Sequence, residues 1–282
     1  MEILGLCFDA NAVGASATHN QTLVILSFAV AAMASYTALD LAERLRVAGP
    51  RSRPRWLFAS AVTLGGGMWA MHFIGMLAFE TPLKRGYDIG LTALSAVVAV
   101  SVAAIGLALV NSGRNWMRLA IAGVIVGAGI VAMHYTGMAA LRVAGKVYYH
   151  PDLFAVSVAI ALAAAVVALW LAFALENWWQ RAAAALVMAA AICGMHYTGM
   201  ASTAIVSGAE VAPSEMILSE GMLAGAITLG VFTIVLMGLA SAFLDRRLEA
   251  ETRRETTRLR ALNATLERRV DERTAQLSEA AE

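Results

Sequence analysis

Seven long apolar stretches dominate this chain, and each is long enough to cross a lipid bilayer. They run roughly 21–43, 56–79, 89–110, 116–141, 152–175, 182–206 and 219–244. A transmembrane helix takes about 20 mostly apolar residues. Hydrocarbon admits only helices and closed barrels, because each backbone polar group needs a partner within the spanning structure. The expected fold is therefore all-α, a polytopic membrane protein of seven transmembrane helices surrounded by membrane lipid. Charge placement agrees. Asp, Glu, Lys and Arg make up 15% of the 282 residues, against about a quarter in soluble domains. Nine basic and nine acidic residues crowd into Asp245 to Glu282. An ordinary soluble enzyme and a disordered chain are both excluded. A net charge of +1 gives no reason to expect a nucleic-acid partner. Cys7 and Cys193 lie far apart and form neither a disulfide framework nor a zinc knuckle.

Three segments follow: a short outer N-terminal segment (1–20), the seven-span domain (21–244) and a charged tail (245–282). The loops after spans one, three and five hold eight Lys or Arg, those after spans two, four and six hold four, and the tail holds nine. That bias places the tail in the cytoplasm and the N-terminus outside. The first 20 residues have no basic region and no long apolar run, so they do not read as a cleaved signal peptide. The tail has no Gly or Pro and reads as one helix continuing from span seven. Leu259, Leu262, Leu266, Val270, Arg273 and Leu277 are spaced 3, 4, 4, 3 and 4. This narrow stripe, with one break in a strict heptad, predicts a parallel coiled coil and hence a homodimer. A solvated charged helix is the alternative.

An internal repeat sharpens the picture. Met71-His72-Phe73-Ile74-Gly75-Met76, Met133-His134-Tyr135-Thr136-Gly137-Met138 and Met195-His196-Tyr197-Thr198-Gly199-Met200 follow one another at a period of 62 residues. The register extends to Gly65 and Gly127, Gly67 and Gly129, Tyr87 and Tyr149, Ser95 and Ser157, and Asn115-Trp116 and Asn177-Trp178. The unit is a two-helix hairpin used three times, with a seventh helix added. All three motifs fall near the outer ends of even-numbered spans. His19 and His150 stand just before spans one and five.

Polar, ionisable residues within a span are costly and mark function by default. One histidine near a helix end can be structural, bonded to a carbonyl; three in register point to a site. Within each motif, His and the second Met are four apart and share a helix face. The first Met sits beside the His. The glycines at 75, 137 and 199, with Gly65, Gly66, Gly67, Gly127 and Gly129, thin these helices as small residues do where helices approach closely. Each motif thus offers one imidazole and one or two thioethers. Zinc has little use for Met, and magnesium and calcium want oxygen. Copper accepts imidazole and thioether together. Cys193 reads as a small core residue, with a thiolate ligand as the alternative, and Met68 as packing. Non-covalent haem is the competing cofactor, since His and Met are both axial ligands. A third reading has no cofactor, with Met as core filler and the histidines sensing pH. Asp40, with Glu43 and Arg44, reads as the interface end of span one, with a conformational relay as the alternative.

These hexapeptides resemble the signature of the bacterial MHYT-domain membrane sensors. The second and third copies read M-H-Y-T-G-M; the first reads M-H-F-I-G-M. Ala34 to Ala42 in span one is also similar to the family, and the resemblance covers roughly residues 18–244. It implies a seven-span domain of the bacterial inner membrane with its motifs near the periplasmic face. It also implies copper held by Met71, His72, Met76, Met133, His134, Met138, Met195, His196 and Met200, sensing a diatomic gas: oxygen, carbon monoxide or nitric oxide. Phe73 and Ile74 remove two hydroxyls from the first copy and with them any supporting role there.

Members of the family are usually fused to a cyclic di-guanylate enzyme or a histidine kinase. This sequence holds neither G-G-[DE]-E-F nor E-A-L, so the chain itself is expected not to be an enzyme. Leu262 to Leu277 is similar to the helical linker that often precedes a kinase. The expectation is a sensor that belongs to a longer signalling protein, or one that acts on a separate output partner. A copper carrier and a haem-binding redox protein are the other function classes. The inner loops offer no Met, His or Cys exit site to support a carrier.

Overall fold

A computed structural model describes residues 2–3, 6–14, 17–111, 115–174, 177–208 and 217–279. The separators expected at 112–114, 176 and 211–214 lie outside these residues, as do the side chains of Arg273 and Leu277 in the tail stripe.

Among the described residues seven helices form: α1 (Gln21–Val47), α2 (Arg53–Ala78), α3 (Ile89–Asn111), α4 (Trp116–Ala139), α5 (Pro151–Ala174), α6 (Trp178–Ala201) and α7 (Glu220–Glu279). All seven contain a stretch long and apolar enough to cross a membrane. Their starts are written in the sequence. The Asn20 side chain accepts from the Thr22 and Leu23 amides, and that of Asn115 from the Met117 amide. Asn177 closes a capping box with Gln180. Each satisfies amides that a helix start leaves open. Trp116 and Trp178 directly follow two of these caps and are exposed, as interfacial tryptophans are.

Contacts run α1–α2–α3–α4–α5–α6 and back to α1, so six helices close a ring. Gly65 and Gly127 let α2 and α4 approach α3 and α5; a Cβ at either would strike the backbone of Val100 or Leu162. Gly66 differs from the expectation, because nothing lies within 4 Å of its Cβ position. Charged groups tie the ring at the end where α1 finishes. Asp40 lies 3.7 Å from Arg44 and 3.9 Å from Arg181 of α6. The span-seven part of α7 stands outside the ring against α2. There Met237 accepts a hydrogen bond from Thr63 at 3.2 Å. Its other face exposes Leu229, Phe232 and Leu236, a surface that suits lipid. The chain divides into two compact units, 1–237 and 238–282. The second consists of the rest of α7, in which Leu259, Leu262, Leu266 and Val270 are exposed.

The structure adds strands that an all-helical reading of the spans leaves out. They are β1 (Glu2–Ile3), β2 (Leu6–Phe8), β3 (Thr18–His19), β4 (Phe79–Glu80), β5 (Arg85–Asp88), β6 (Leu141–Val143), β7 (Gly145–Tyr149), β8 (Thr203–Ser207) and β9 (Ile217–Leu218). They form sheets ordered β1-β2-β7-β8, β3-β4 and β6-β5-β9. The longest pairing sets β7 antiparallel to β8, from Gly145 opposite Ser207 to Tyr149 opposite Thr203. All nine precede α1 or follow an even helix, so they cap one end of the bundle, the motif end. Two ion pairs fasten this cap. Arg142 meets Asp88 at 2.9 Å, and Arg85 meets Glu220 at the start of α7 at 2.7 Å. Arg85 also donates to the Phe79 carbonyl at the end of α2.

Candidate metal centre

The three even helices bring the three repeated histidines to one point. His72 Nδ1 lies 3.1 Å from both His134 Nδ1 and His196 Nδ1, and the last two are 3.4 Å apart. All three side chains are fully buried. Among the described residues they form the one group of histidine, cysteine or carboxylate side chains placed to hold a metal ion. The rings meet edge to face, with centroids 4.9 to 5.3 Å apart, like the blades of a propeller.

The motif glycine explains how the rings fit. His72 Nε2 occupies the place a Cβ would take at Gly137 of α4. His134 Nε2 does the same at Gly199 of α6, and His196 Nε2 at Gly75 of α2. Each imidazole is therefore wedged between the axis and the bare backbone of the next repeat, in cyclic order. The residue after each histidine backs its ring at 4.7 to 4.8 Å: Phe73, Tyr135 and Tyr197.

Protons alone satisfy this triangle poorly. A ring nitrogen either donates or accepts, so three mutually adjacent Nδ1 atoms always leave a pair of like partners facing each other. The three Nε2 atoms have no hydrogen-bond partner either. A cation at the centre removes the conflict, because all three Nδ1 atoms then act as lone-pair donors. A triangle with sides of 3.1, 3.1 and 3.4 Å has its equidistant point about 1.9 Å from each corner, close to the 2.0–2.1 Å typical of metal–imidazole bonds. The residues present fit a bound metal ion.

Of the nine residues singled out by sequence, the structure joins the three histidines directly. Met71, Met76, Met133, Met138, Met195 and Met200 are buried in the same core cluster. Cys193 stands apart from the triangle, its thiol meeting the Ser27 hydroxyl. His19 is aligned with Phe79 by the β3–β4 pair and meets Tyr197 edge to face at 5.8 Å.

Sequence reasoning missed the partners of the motif tyrosines. Tyr135 Oη pairs with Ser157 Oγ at 2.7 Å, and Tyr197 Oη with Ser27 Oγ at 2.9 Å. In the first copy Phe73 packs against Trp69 and Tyr87 instead, and Ser95 turns to the Thr92 carbonyl. The equivalence of Ser95 and Ser157 was the available signal; Ser27 has no place in that register. In the cap, burial pushes the Tyr87 hydroxyl up to about 12 and raises Tyr149 as well. The Leu91 amide and the Arg142 side chain hold Asp88 below the usual carboxylate range.

Fold and site together define a multi-pass membrane domain built by internal repetition around one axis. The family model for MHYT, the bacterial signalling protein N-terminal repeat, matches residues 65–123, 127–185 and 190–260, and the chain belongs to that family. It is 43% identical over 255 residues to the bifunctional diguanylate cyclase/cyclic di-GMP phosphodiesterase MucR of Pseudomonas aeruginosa, an alignment covering 88% of this chain and 37% of MucR. It is 41% identical to the cyclic di-GMP phosphodiesterase NbdA of the same species, over 64% of this chain and 24% of that protein. It is 34% identical to the signaling protein YkoW of Bacillus subtilis, again over 64% and 24%. The chain thus spans between a quarter and somewhat over a third of the length of these relatives. No solved structure matches it.

Proposed function

We propose that the chain is a copper-dependent membrane sensor, with His72, His134 and His196 as the primary ligands. The observation that carries this reading is the convergence of three buried Nδ1 atoms on one point. The choice of ion rests on charge and softness. Among the described residues the group consists of three imidazoles and includes no carboxylate. Moving even a singly charged ion into a low-dielectric interior costs on the order of 20 kcal/mol by the Born estimate, and the cost grows with the square of the charge. A monovalent ion is therefore favoured, and Cu(I) is the one that imidazole and thioether both suit. The six buried methionines are the candidates for a further ligand or a second ion. Haem gains no support, because three rings packed edge to face leave no slot for a porphyrin.

Bound Cu(I) supplies an electron-rich centre that small diatomic gases bind. Around it the chain excludes water, holds the imidazoles by the motif glycines, and keeps charge away. In this reading the motif end faces outward from the bacterial inner membrane and the tail lies in the cytoplasm. Oxygen, carbon monoxide or nitric oxide binding shifts the packing of the three hairpins. The shift passes through α2 to α7, whose tail dimerises and drives a cyclic di-guanylate enzyme or a kinase as output. Metal analysis of His134→Ala and His196→Ala tests the site. The purified chain should hold copper, and each variant should lose it while keeping its helical content. Copper retained in the variants at the same ratio would refute the assignment.

A further inference from the structure

The bundle axis is hollow on the side of the histidines away from the strand cap. A cavity of about 50 Å3 lies there, lined by all six ring helices. Its walls follow the repeat. Met68, Ile130 and Ile192 stand four residues before the three histidines, about 6 Å along each helix. Leu64, Val126 and Met188 form the next layer four residues further back. Every lining side chain is apolar.

Chemistry and size together select the occupant. Water needs polar partners to settle in a cavity, and apolar cavities stay dry. About 10–15 Å3 holds a single water, whereas a void of about 150 Å3 takes benzene. The space here lies between these limits and suits one uncharged molecule of diatomic size. The outer ends of the histidine-bearing helices are capped by strands, and the histidines themselves are fully buried. The cavity lies, like the histidines, within the spanning segments, but further from the strand cap, and the outer surfaces of these segments are apolar, as at Leu94, Val97, Ile121 and Val124. An apolar molecule partitions into hydrocarbon in preference to water and arrives by that route.

We infer that the axial cavity is a binding chamber for a small apolar gas, filled from the bilayer, which delivers its occupant to the histidine triangle from the side away from the strand cap. The chamber stands on its own geometry; delivery to the histidines rests on the sensor reading above.

Xenon is the probe for the chamber. The metal-free 282-residue chain in nanodiscs should give a saturable 129Xe shift beyond that of empty nanodiscs. Ala165→Leu, which fills the cavity, should weaken binding about tenfold through lost contact space, and Ile130→Ala, which enlarges it, should strengthen binding. A shift equal to that of empty nanodiscs, or one indifferent to both variants, overturns the chamber. On copper-loaded protein, Ala165→Leu should slow carbon monoxide binding, and an unchanged rate overturns the delivery route. A chain that binds xenon but no copper upholds the chamber and overturns the copper reading, so the two proposals fail separately.

Discussion

The motif glycines offer a sharp test of how the site is built. Replacing Gly137 with Ala puts a Cβ where His72 Nε2 now lies. The ring cannot retreat along its own long axis. Its Nδ1 is already 3.1 Å from those of His134 and His196. It must swing out of the triangle by about 1 Å, several times the ±0.2 Å tolerance of metal–ligand distances. Copper affinity should fall by about 100-fold, the upper range for disturbing a ligand's support. Stability should fall by about 1–3 kcal/mol, the usual cost of overpacking. The same change at Gly66 or Gly194 provides the control. Both lie in the same family of helices, and nothing is within 4 Å of their Cβ positions. Alanine there should be neutral or stabilise by about 0.5–1 kcal/mol, as in any helix interior. Thermal denaturation in detergent and copper titration read both effects. Gly137→Ala that melts and binds copper like Gly194→Ala would refute the wedge of imidazole against glycine.

Other consequences follow from the shell and the cap. Tyr135→Phe and Tyr197→Phe should each cost about 0.5–1.5 kcal/mol and leave copper bound, since Ser157 and Ser27 keep the Phe154 and Val24 carbonyls as acceptors; copper loss on metal analysis would give the hydroxyls a direct role. Asp88 is held below its ordinary range, so its contribution is present above about pH 4 and disappears as pH falls through its lowered folded value. Melting temperature should drop in that acid window, and Asp88→Asn should flatten the drop. Arg85→Ala should destabilise more than Glu220→Ala in thermal melts, because it also withdraws a donor from the Phe79 carbonyl.

Much of this was legible because lipid leaves the chain few options. Apolar run length located all seven spans, although it began the sixth at 182, where the Asn177 cap starts α6 at Trp178. The period of 62 correctly put His72, His134 and His196 at equivalent depths. What periodicity cannot convey is which ring atom faces the axis, or that each imidazole uses the next repeat's glycine; both arise only when three helices meet. Strands of two to five residues carry no usable alternation, so the cap stayed hidden. Strict continuation of the repeat beyond α6 would have led to Ser219 as the partner of Tyr197. The partner is Ser27, because α1 closes the ring beside α6 and leaves α7 outside.

In the proposed sensor, three imidazoles hold copper on the bundle axis. X-ray absorption at the copper edge, on the purified chain beside the variant lacking His72, His134 and His196, tests it most directly. Copper in the wild-type protein should show a shell of about three nitrogen neighbours near 2.0 Å, and the variant should bind none. Wild-type protein that takes up no copper when it is supplied, or a variant with the same spectrum, would contradict it.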